Sequence, residues 1–311
     1  MTLTELRYIV AVARERHFGR AAETCFVSQP TLSVAIKKLE EELGVTLFER
    51  STGEVAATPV GARIVEQAQR VLEQAQAIKE IAKAGKDPLS GPLKLGIIYT
   101  IAPYLLPQLV KILHKRAPQM PLVIQEDYTH ILRERLKQGD IDVAVLALPF
   151  EEPGFTIQPL YDEPFAVAVP REHRWASRKS IAANELERET MVLLGAGHCF
   201  RDHVLQACPE LSRFAAGADG VQRSFEGSSL ETIRQMVASG IGVTVLPSSS
   251  VPAKTSRDSL LAYVPFTRPV PERRVVLVYR KTFPRLQAID ALRQVVLACE
   301  LNGVKALAAT K

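Results

Sequence analysis

The stretch 20-RAAETCFVSQPTLSVAIKKLEEELGVTLFER-50 decides how the first part of the chain folds. Ser28 has a side chain suited to capping a helix. Pro30 suits the first turn, where an amide hydrogen would have no intrahelical partner. Leu32, Ile36, Leu39 and Leu43 recur at helical spacing as one apolar stripe, and Gly44 stops the helix where a left-handed residue is favoured. A shorter helix precedes it, Arg20 to about Phe26, with Ala21, Ala22 and Cys25 inward. Further upstream, Thr2 and Glu5 have capping-box spacing. Leu3, Leu6, Val10 and Ala13 predict a helix to about Arg16, broken by His17, Phe18 and Gly19.

A short helix, a tight turn and a second helix with a small polar N-terminus has the shape that enters a major groove. The stripe leaves Gln29, Thr31, Ser33, Val34, Lys37 and Lys38 on or near the open face. Gln, Thr and Ser can bond base edges or phosphates, and Lys37 can meet phosphate. The next segment, 47-LFERSTGEVAATPVG-61, reads as a hairpin wing around Thr52 and Gly53, with Arg50 placed for a phosphate or the minor groove. A plain three-helix packing motif with a solvated polar face is the competing reading. The pattern AAxxCxVSQPTLSxAIKKLEEELGVTLFER…TPxG resembles the winged helix-turn-helix of LysR-type transcriptional regulators over nearly all of residues 1–61. That resemblance implies a double-stranded DNA operator read by Ser28, Gln29, Pro30, Thr31, Ser33 and Lys37, with Arg50 in the wing.

From Thr58 the chain runs TPVGARIVEQAQRVLEQAQAIKEIAKAGK. Ile64, Ala68, Val71, Ala75, Ile78 and Ala82 are spaced 4, 3, 4, 3, 4, a heptad seam. A long helix with one narrow seam cannot cover it alone, so a partner helix and a homodimer are expected; burial within its own domain is the alternative. Residues 86–92, KDPLSGP, then read as a linker. The division expected is a DNA-binding domain over 1–61, a dimerisation helix over 62–87 and a regulatory domain over 91–302.

At 311 residues the chain exceeds one ordinary core, and 47% hydrophobic with 23% charged residues fits a globular protein. No run of about 18 apolar residues suggests a membrane span, and the charged N-terminus is not a signal peptide. A cytoplasmic protein with reduced thiols is expected. The net charge of +5 does not locate a DNA site. Residues 1–60 hold seven Lys/Arg against eight Asp/Glu, whereas residues 267–311 hold nine against three.

Beyond Gly91 short apolar runs alternate with helical patterns. Strands are expected at Leu93–Ile98, Leu122–Gln125 and Ile141–Ala147, and helices at 103–117 and 130–138. This is an α/β pattern with mainly parallel sheets. The strand-rich 155-FTIQPLYDEPFAVAVP-170 suggests a crossing into a second lobe holding Met191–Leu194, a helix starting near Ser228 and 241-IGVTVLP-247. A return crossing near 265–279 leads to a final helix over 284–301. Two lobes joined by two crossings resemble the periplasmic-binding-protein-like regulatory domain that usually accompanies this DNA-binding domain. Ligands of open α/β sheets sit off the carboxyl ends of strands, where Thr100 and Thr129 lie. No nucleotide-binding glycine motif stands in a strand-to-helix context, no catalytic triad stands out, and no cofactor is expected.

One stretch asks for chemistry of its own: 195-GAGHCFRDHVLQACPE-210. A helix from near Cys199 to about Ala207 would put Cys199 at the positive end of the dipole. Arg201 and a protonated His198 or His203 would add positive charge. All favour the thiolate, the reactive form, while Asp202 opposes this or tethers a cation. Nine residues of helix rise about 13.5 Å and put Cys199 and Cys208 on opposite faces, but a disulfide needs Cα atoms about 4.4–6.8 Å apart. A bond between them would have to unravel the helix. Buried inert thiols, a zinc site from His198, Cys199, His203 and Cys208, and a cysteine hydrolase are the competing readings; the spacings match no common zinc module. Cys25 and Cys299 read as structural.

Within a LysR-type chain, GAGHCFRDHVLQAC resembles the redox segment of that family's peroxide-sensing regulators. The resemblance implies that hydrogen peroxide oxidises Cys199, that Cys208 resolves it as a disulfide, and that Thr100, Thr129 and His198 line the peroxide pocket. Arg201, Asp202 and His203 would tune the thiol. It further implies a homotetramer, altered DNA contacts on oxidation, RNA polymerase as partner on activation, a cellular thiol reductant for resetting, and antioxidant defence genes as targets. A regulator answering a small organic effector in the crevice between lobes, and a thiol peroxidase with a DNA-binding module, are the alternatives.

Overall fold

The structure, a computed structural model, describes residues 1–50, 55–84, 89–209, 224–253 and 259–307. By contacts it divides into Met1–Asp87 with Thr282–Pro284, and Pro88–Lys281 with Arg285–Lys311.

In the first unit α1 spans Leu3–Glu15. The Thr2 hydroxyl accepts from the Glu5 amide and the Glu5 carboxylate accepts from the Thr2 amide, closing the expected capping box. Its buried side chains are Leu6, Tyr8, Ile9, Ala11 and Val12. Leu3 is exposed and Val10 and Ala13 only half-buried, because α1 is packed by both α3 and α4 and its covered stripe is wider than one heptad line. Helix α2 spans Phe18–Thr24, starting two residues earlier than expected. The ring Nδ1 of His17 caps it, accepting from the amides of Gly19 and Arg20 at 3.1 and 3.3 Å. Helix α3 spans Gln29–Leu43, capped by Ser28, whose Oγ accepts from the Thr31 amide, and ended by Gly44 at φ 67°. Leu32, Ile36 and Leu39 are buried as the stripe demands, while Leu43 stays exposed.

Strands β1 (Phe48–Arg50) and β2 (Val55–Ala57) pair antiparallel as the wing, the turn at Thr52 and Gly53 lying outside the described residues. Helix α4 runs from Pro59 to Ala84, about 39 Å of helix at 1.5 Å per residue. Gly61 is where α4 meets the wing: a Cβ there would fall 2.1 Å from the Leu47 carbonyl oxygen. Ala68 is buried and Ile64, Val65 and Leu72 pack against the core of this unit, but further along the seam Val71 and Ile78 are exposed, Ile78 by 69%.

The second unit opens β3 (Leu93–Ile97), α5 (Ala102–Arg116), β4 (Leu122–Glu126), α6 (Thr129–Gln138) and β5 (Val143–Ala147). β3 lies between β4 and β5, parallel to both. Strand β6 then runs sixteen residues, Phe155–Pro170, out of the first lobe and into the second. The second lobe adds β7 (Met191–Leu194), α7 (Cys199–Ala207), β8 (Ser224–Gly227), α8 (Leu230–Ala238), β9 (Thr244–Pro247) and β10 (Leu261–Pro265). β11 (Glu272–Arg280) returns to the first lobe, followed by α9 (Leu286–Leu297) and the short β12 (Lys305–Ala306).

The expectation of mainly parallel sheets is corrected. β6 pairs antiparallel with β9, β10, β11 and β12, and β11 pairs antiparallel with β5. The two crossings must run in opposite directions to leave a lobe and return, so the strands that carry them oppose their neighbours. A second core gathers β7, α7, α8, β9 and β10 around Phe165, Trp175, Phe200 and Val245. No described helix is long and apolar enough to cross a membrane.

Candidate functional site

Strand β7 is wholly buried and ends at Leu194. Residues 195–197 turn the chain with Gly197 at φ 96°, a left-handed conformation that favours glycine. His198 is the N-cap of α7 and Cys199 its first residue. The loops after β3 and β4, from the other lobe, meet them there. Thr100, Thr129, Tyr99, Tyr128, His198 and Cys199 border one pocket, with about 10 Å³ of free volume, the scale of a molecule of one or two oxygen atoms. The structure thus brings Thr100, Thr129, His198 and Cys199 together, the two threonines lying just past the carboxyl ends of β3 and β4.

Polar groups define the pocket floor. Thr100 is buried, and its Oγ1 accepts from Arg273 Nη1 at 2.7 Å while its carbonyl accepts from Nη2 at 3.0 Å. With the lone pairs of Oγ1 turned to the guanidinium, the hydroxyl hydrogen is free to point elsewhere. Arg273 is fixed in turn by Glu163, Nε to Oε2 at 2.7 Å, both side chains fully buried. Glu163 also accepts from the Ser249 amide, and Arg273 lies over the Phe200 ring at 5.0 Å. The Oγ1 of Thr129 is buried with no hydrogen-bond partner.

Both histidines of the stretch are buried. Burial lowers the pKa of His198, partly offset by a backbone hydrogen bond to Ser228, and burial likewise lowers that of His203. Both shifts favour the neutral ring and so work against the added positive charge that a protonated His198 or His203 would supply. His203 donates Nε2–H to the Leu148 carbonyl at 2.7 Å. Arg201 donates to the Leu194 carbonyl and to Glu226, each at 2.7 Å, so its charge is spent joining α7 to β7 and β8. Asp202 is exposed.

Cys199 and Cys208 are both free thiols at opposite ends of α7, Cys208 being its C-cap. Cys199 is half-buried at the pocket. Cys208 is sealed in the second core, where burial pushes its thiol up to about 11. Cys299 is raised to about 11 by the same cause and donates to the Val295 carbonyl; burial raises Cys25 as well. His198, Cys199, His203 and Cys208 do not converge on one point, because His203 is bonded to Leu148 and Cys208 lies a helix length from Cys199. Among the described residues no group of three His, Cys, Asp or Glu is placed to hold a metal.

On the first unit, Ser28, Gln29, Pro30 and Thr31 are exposed at the start of α3 and Ser33 is half-buried beside them. The Lys37 side chain is 79% exposed, 3.9 Å from Glu41, and Arg50 ends β1. The sequence reading missed several residues. Phe26 sits in the turn before α3 at φ 57° with 94% exposure. Tyr99 and Tyr128 flank the threonines. Glu163 and Arg273 were legible only in retrospect: each neighbours a like charge, Asp162 and Arg274. Alternation sends one pair outward, where Asp162 and Arg274 meet at the surface, and the other inward.

Known proteins resemble both parts of the chain. Residues 3–62 match the family of bacterial regulatory helix-turn-helix proteins, lysR family, and residues 86–298 match the LysR substrate binding domain. The chain is 44% identical over 284 residues to the hydrogen peroxide-inducible genes activator of Pectobacterium carotovorum subsp. carotovorum, covering 91% of this chain and 92% of that one. It is similar to a full-length Pseudomonas aeruginosa OxyR cysteine-to-aspartate variant, at 53% identity and a TM-score of 0.78, covering 97% and 96% of the two chains. It is also similar to a cysteine-to-serine variant of Corynebacterium glutamicum OxyR with H2O2 bound, at 36% identity and a TM-score of 0.64, covering 96% and 92%. The chain belongs to the LysR family of transcriptional regulators and, within it, to the OxyR group of hydrogen peroxide-inducible genes activators.

Proposed function

We infer that this regulator senses hydrogen peroxide through Cys199 and Cys208 and passes the signal to the winged helix. The observation that carries the reading is the pocket: Cys199, His198, Thr100 and the unpartnered Thr129 hydroxyl surround a space too small for an organic effector, with a second thiol one helix away. In the first step the Cys199 thiolate attacks one peroxide oxygen. The O–O bond breaks, sulfur loses two electrons, and Cys199 becomes a sulfenic acid while hydroxide leaves and takes a proton as water. The positive end of α7 faces the sulfur. The hydroxyls of Thr100 and Thr129 donate to the departing oxygen, and neutral His198 orients the peroxide.

In the second step Cys208 gives up its proton and attacks the sulfenic sulfur, releasing water and leaving a disulfide. The two Cα atoms cannot come within the required 4.4–6.8 Å while α7 stands, so the helix must open and release Phe200, Val204 and Cys208 from the core. A cellular dithiol returns two electrons to reset both thiols. Arg201, Asp202 and His203 act on this step by holding or loosening α7. Opening repacks the regulatory domain (91–302), the linker helix (62–87) conveys the change, and the DNA-binding domain (1–61) shifts its contacts through Ser28, Gln29, Pro30, Thr31, Ser33, Lys37 and Arg50. The working form is a cytoplasmic homodimer through α4, assembled as a homotetramer, that engages RNA polymerase at antioxidant genes. The test is to treat the reduced protein with stoichiometric peroxide, map disulfides by mass spectrometry and follow operator binding. Loss of two hydrogens joining the Cys199 and Cys208 peptides, with altered DNA contacts, is expected. A Cys199→Ser protein that still responds to peroxide would overturn the mechanism.

A further inference from the structure

The space beside Cys199 is closed by three rings drawn from both lobes. Tyr99 follows β3, Tyr128 immediately precedes α6 and His198 immediately precedes α7. Tyr128 meets His198 at 4.8 Å between centroids, Tyr99 meets Tyr128 at 5.4 Å, and Tyr99 meets His198 at 5.9 Å. All three pairs are edge to face, the arrangement that aromatic quadrupoles favour. Tyr128 is further confined by His130, stacked on it at 5.8 Å, and by Gly197, where a Cβ would stand 3.4 Å from the ring. The opposite wall does not yield either, because Thr100 is pinned by the buried Arg273–Glu163 pair. Tyr99 is 37% exposed, so its outer edge marks the mouth.

We propose that Tyr99 and Tyr128, closed on His198, form a size gate that admits hydrogen peroxide to Cys199 and excludes alkyl hydroperoxides. The proposal rests on the reading of Cys199 as the site of peroxide attack. For any hydroperoxide ROOH the thiolate takes the terminal hydroxyl oxygen, the O–O bond breaks, and RO⁻ leaves and is protonated to ROH. The reacting bond is the same whether R is hydrogen or carbon, so the bond itself does not separate the two classes strongly. In-line displacement places R beyond the leaving oxygen. With about 10 Å³ free, R has room there only as hydrogen unless a ring moves aside.

The experiment measures the rate constant for Cys199 oxidation in the reduced full chain, by mass of the Cys199 peptide, with hydrogen peroxide, tert-butyl hydroperoxide and cumene hydroperoxide. Wild type is expected to prefer hydrogen peroxide strongly. In Tyr128→Ala the ratio of hydrogen peroxide to tert-butyl hydroperoxide rates should fall at least tenfold, while Tyr128→Phe, which keeps the ring, should hold the wild-type ratio. Tyr99→Ala is the second variant should Tyr128→Ala not fold, and a tenfold fall is expected there too. A wild type indifferent to the alkyl group, or a ratio unmoved in the folded alanine variants, overturns the gate alone. Failure of hydrogen peroxide to oxidise Cys199 in wild type overturns the reading beneath it, and the gate with it.

Discussion

At the residue scale the two cysteines differ by environment rather than by type. Cys199 borders the pocket and Cys208 belongs to the core, with its thiol pushed up to about 11 from an ordinary 9.0. Between those values the folded chain keeps the proton and the unfolded chain has lost it. Stability from this group is therefore intact below about pH 9 and lost as pH rises toward about 11, by at most about 2.7 kcal/mol for a shift of about two units. The reduced wild type should lose more urea resistance between pH 8 and pH 10.5 than Cys208→Ala does, measured under reductant. Equal losses would show that Cys208 is not desolvated. The same burial would make Cys208 wait in its proposed resolving role: at neutral pH it is protonated, and it stays out of reach until α7 opens.

At the element scale α7 is the part that the proposed mechanism requires to be both formed and breakable. It buries Phe200, His203 and Val204, and Arg201 ties it to β7 and β8. Its exposed positions cost little to alter. Gln206 faces solvent, so Gln206→Gly weakens the helix without emptying the core, by up to about 1 kcal/mol. In a thiol–disulfide buffer the Cys199–Cys208 equilibrium should then move toward the disulfide by up to about fivefold. A shift toward the dithiol would mean that the disulfide does not require helix opening. Phe26 is the contrasting case on the DNA-binding side, an exposed aromatic in a left-handed turn that no contact among the described residues accounts for.

At the scale of the whole molecule the unresolved demand is the seam of α4. Val71 and Ile78 stay exposed in a single chain, and a partner helix would cover them. Ile78→Glu should leave the stability of the isolated chain nearly unchanged, read by thermal unfolding at concentrations too dilute for dimerisation, since 69% of that residue is already in water. It should weaken dimerisation by roughly 100-fold, about 3 kcal/mol, through two lost apolar contacts and two unpaired charges. Sedimentation across a concentration series reads the change. A variant that remains as dimeric as wild type would place the interface elsewhere.

Local pattern was enough for the elements. Ser28 and Gly44 bound α3, Thr2 and Glu5 start α1, and the helix between Cys199 and Ala207 falls where its sequence places it, because caps and periodicity act over a few residues. The buried face of α1, the antiparallel crossings, and the meeting of Thr100 and Thr129 with Cys199 needed the tertiary structure, since each depends on residues far apart in sequence. So did the desolvation of His198 and His203, and the burial of Glu163 with Arg273. Sequence states which groups can ionise; only packing decides which of them lose water, and here that loss disfavours the charged form of both histidines and sorts two adjacent charge pairs into one surface pair and one core pair.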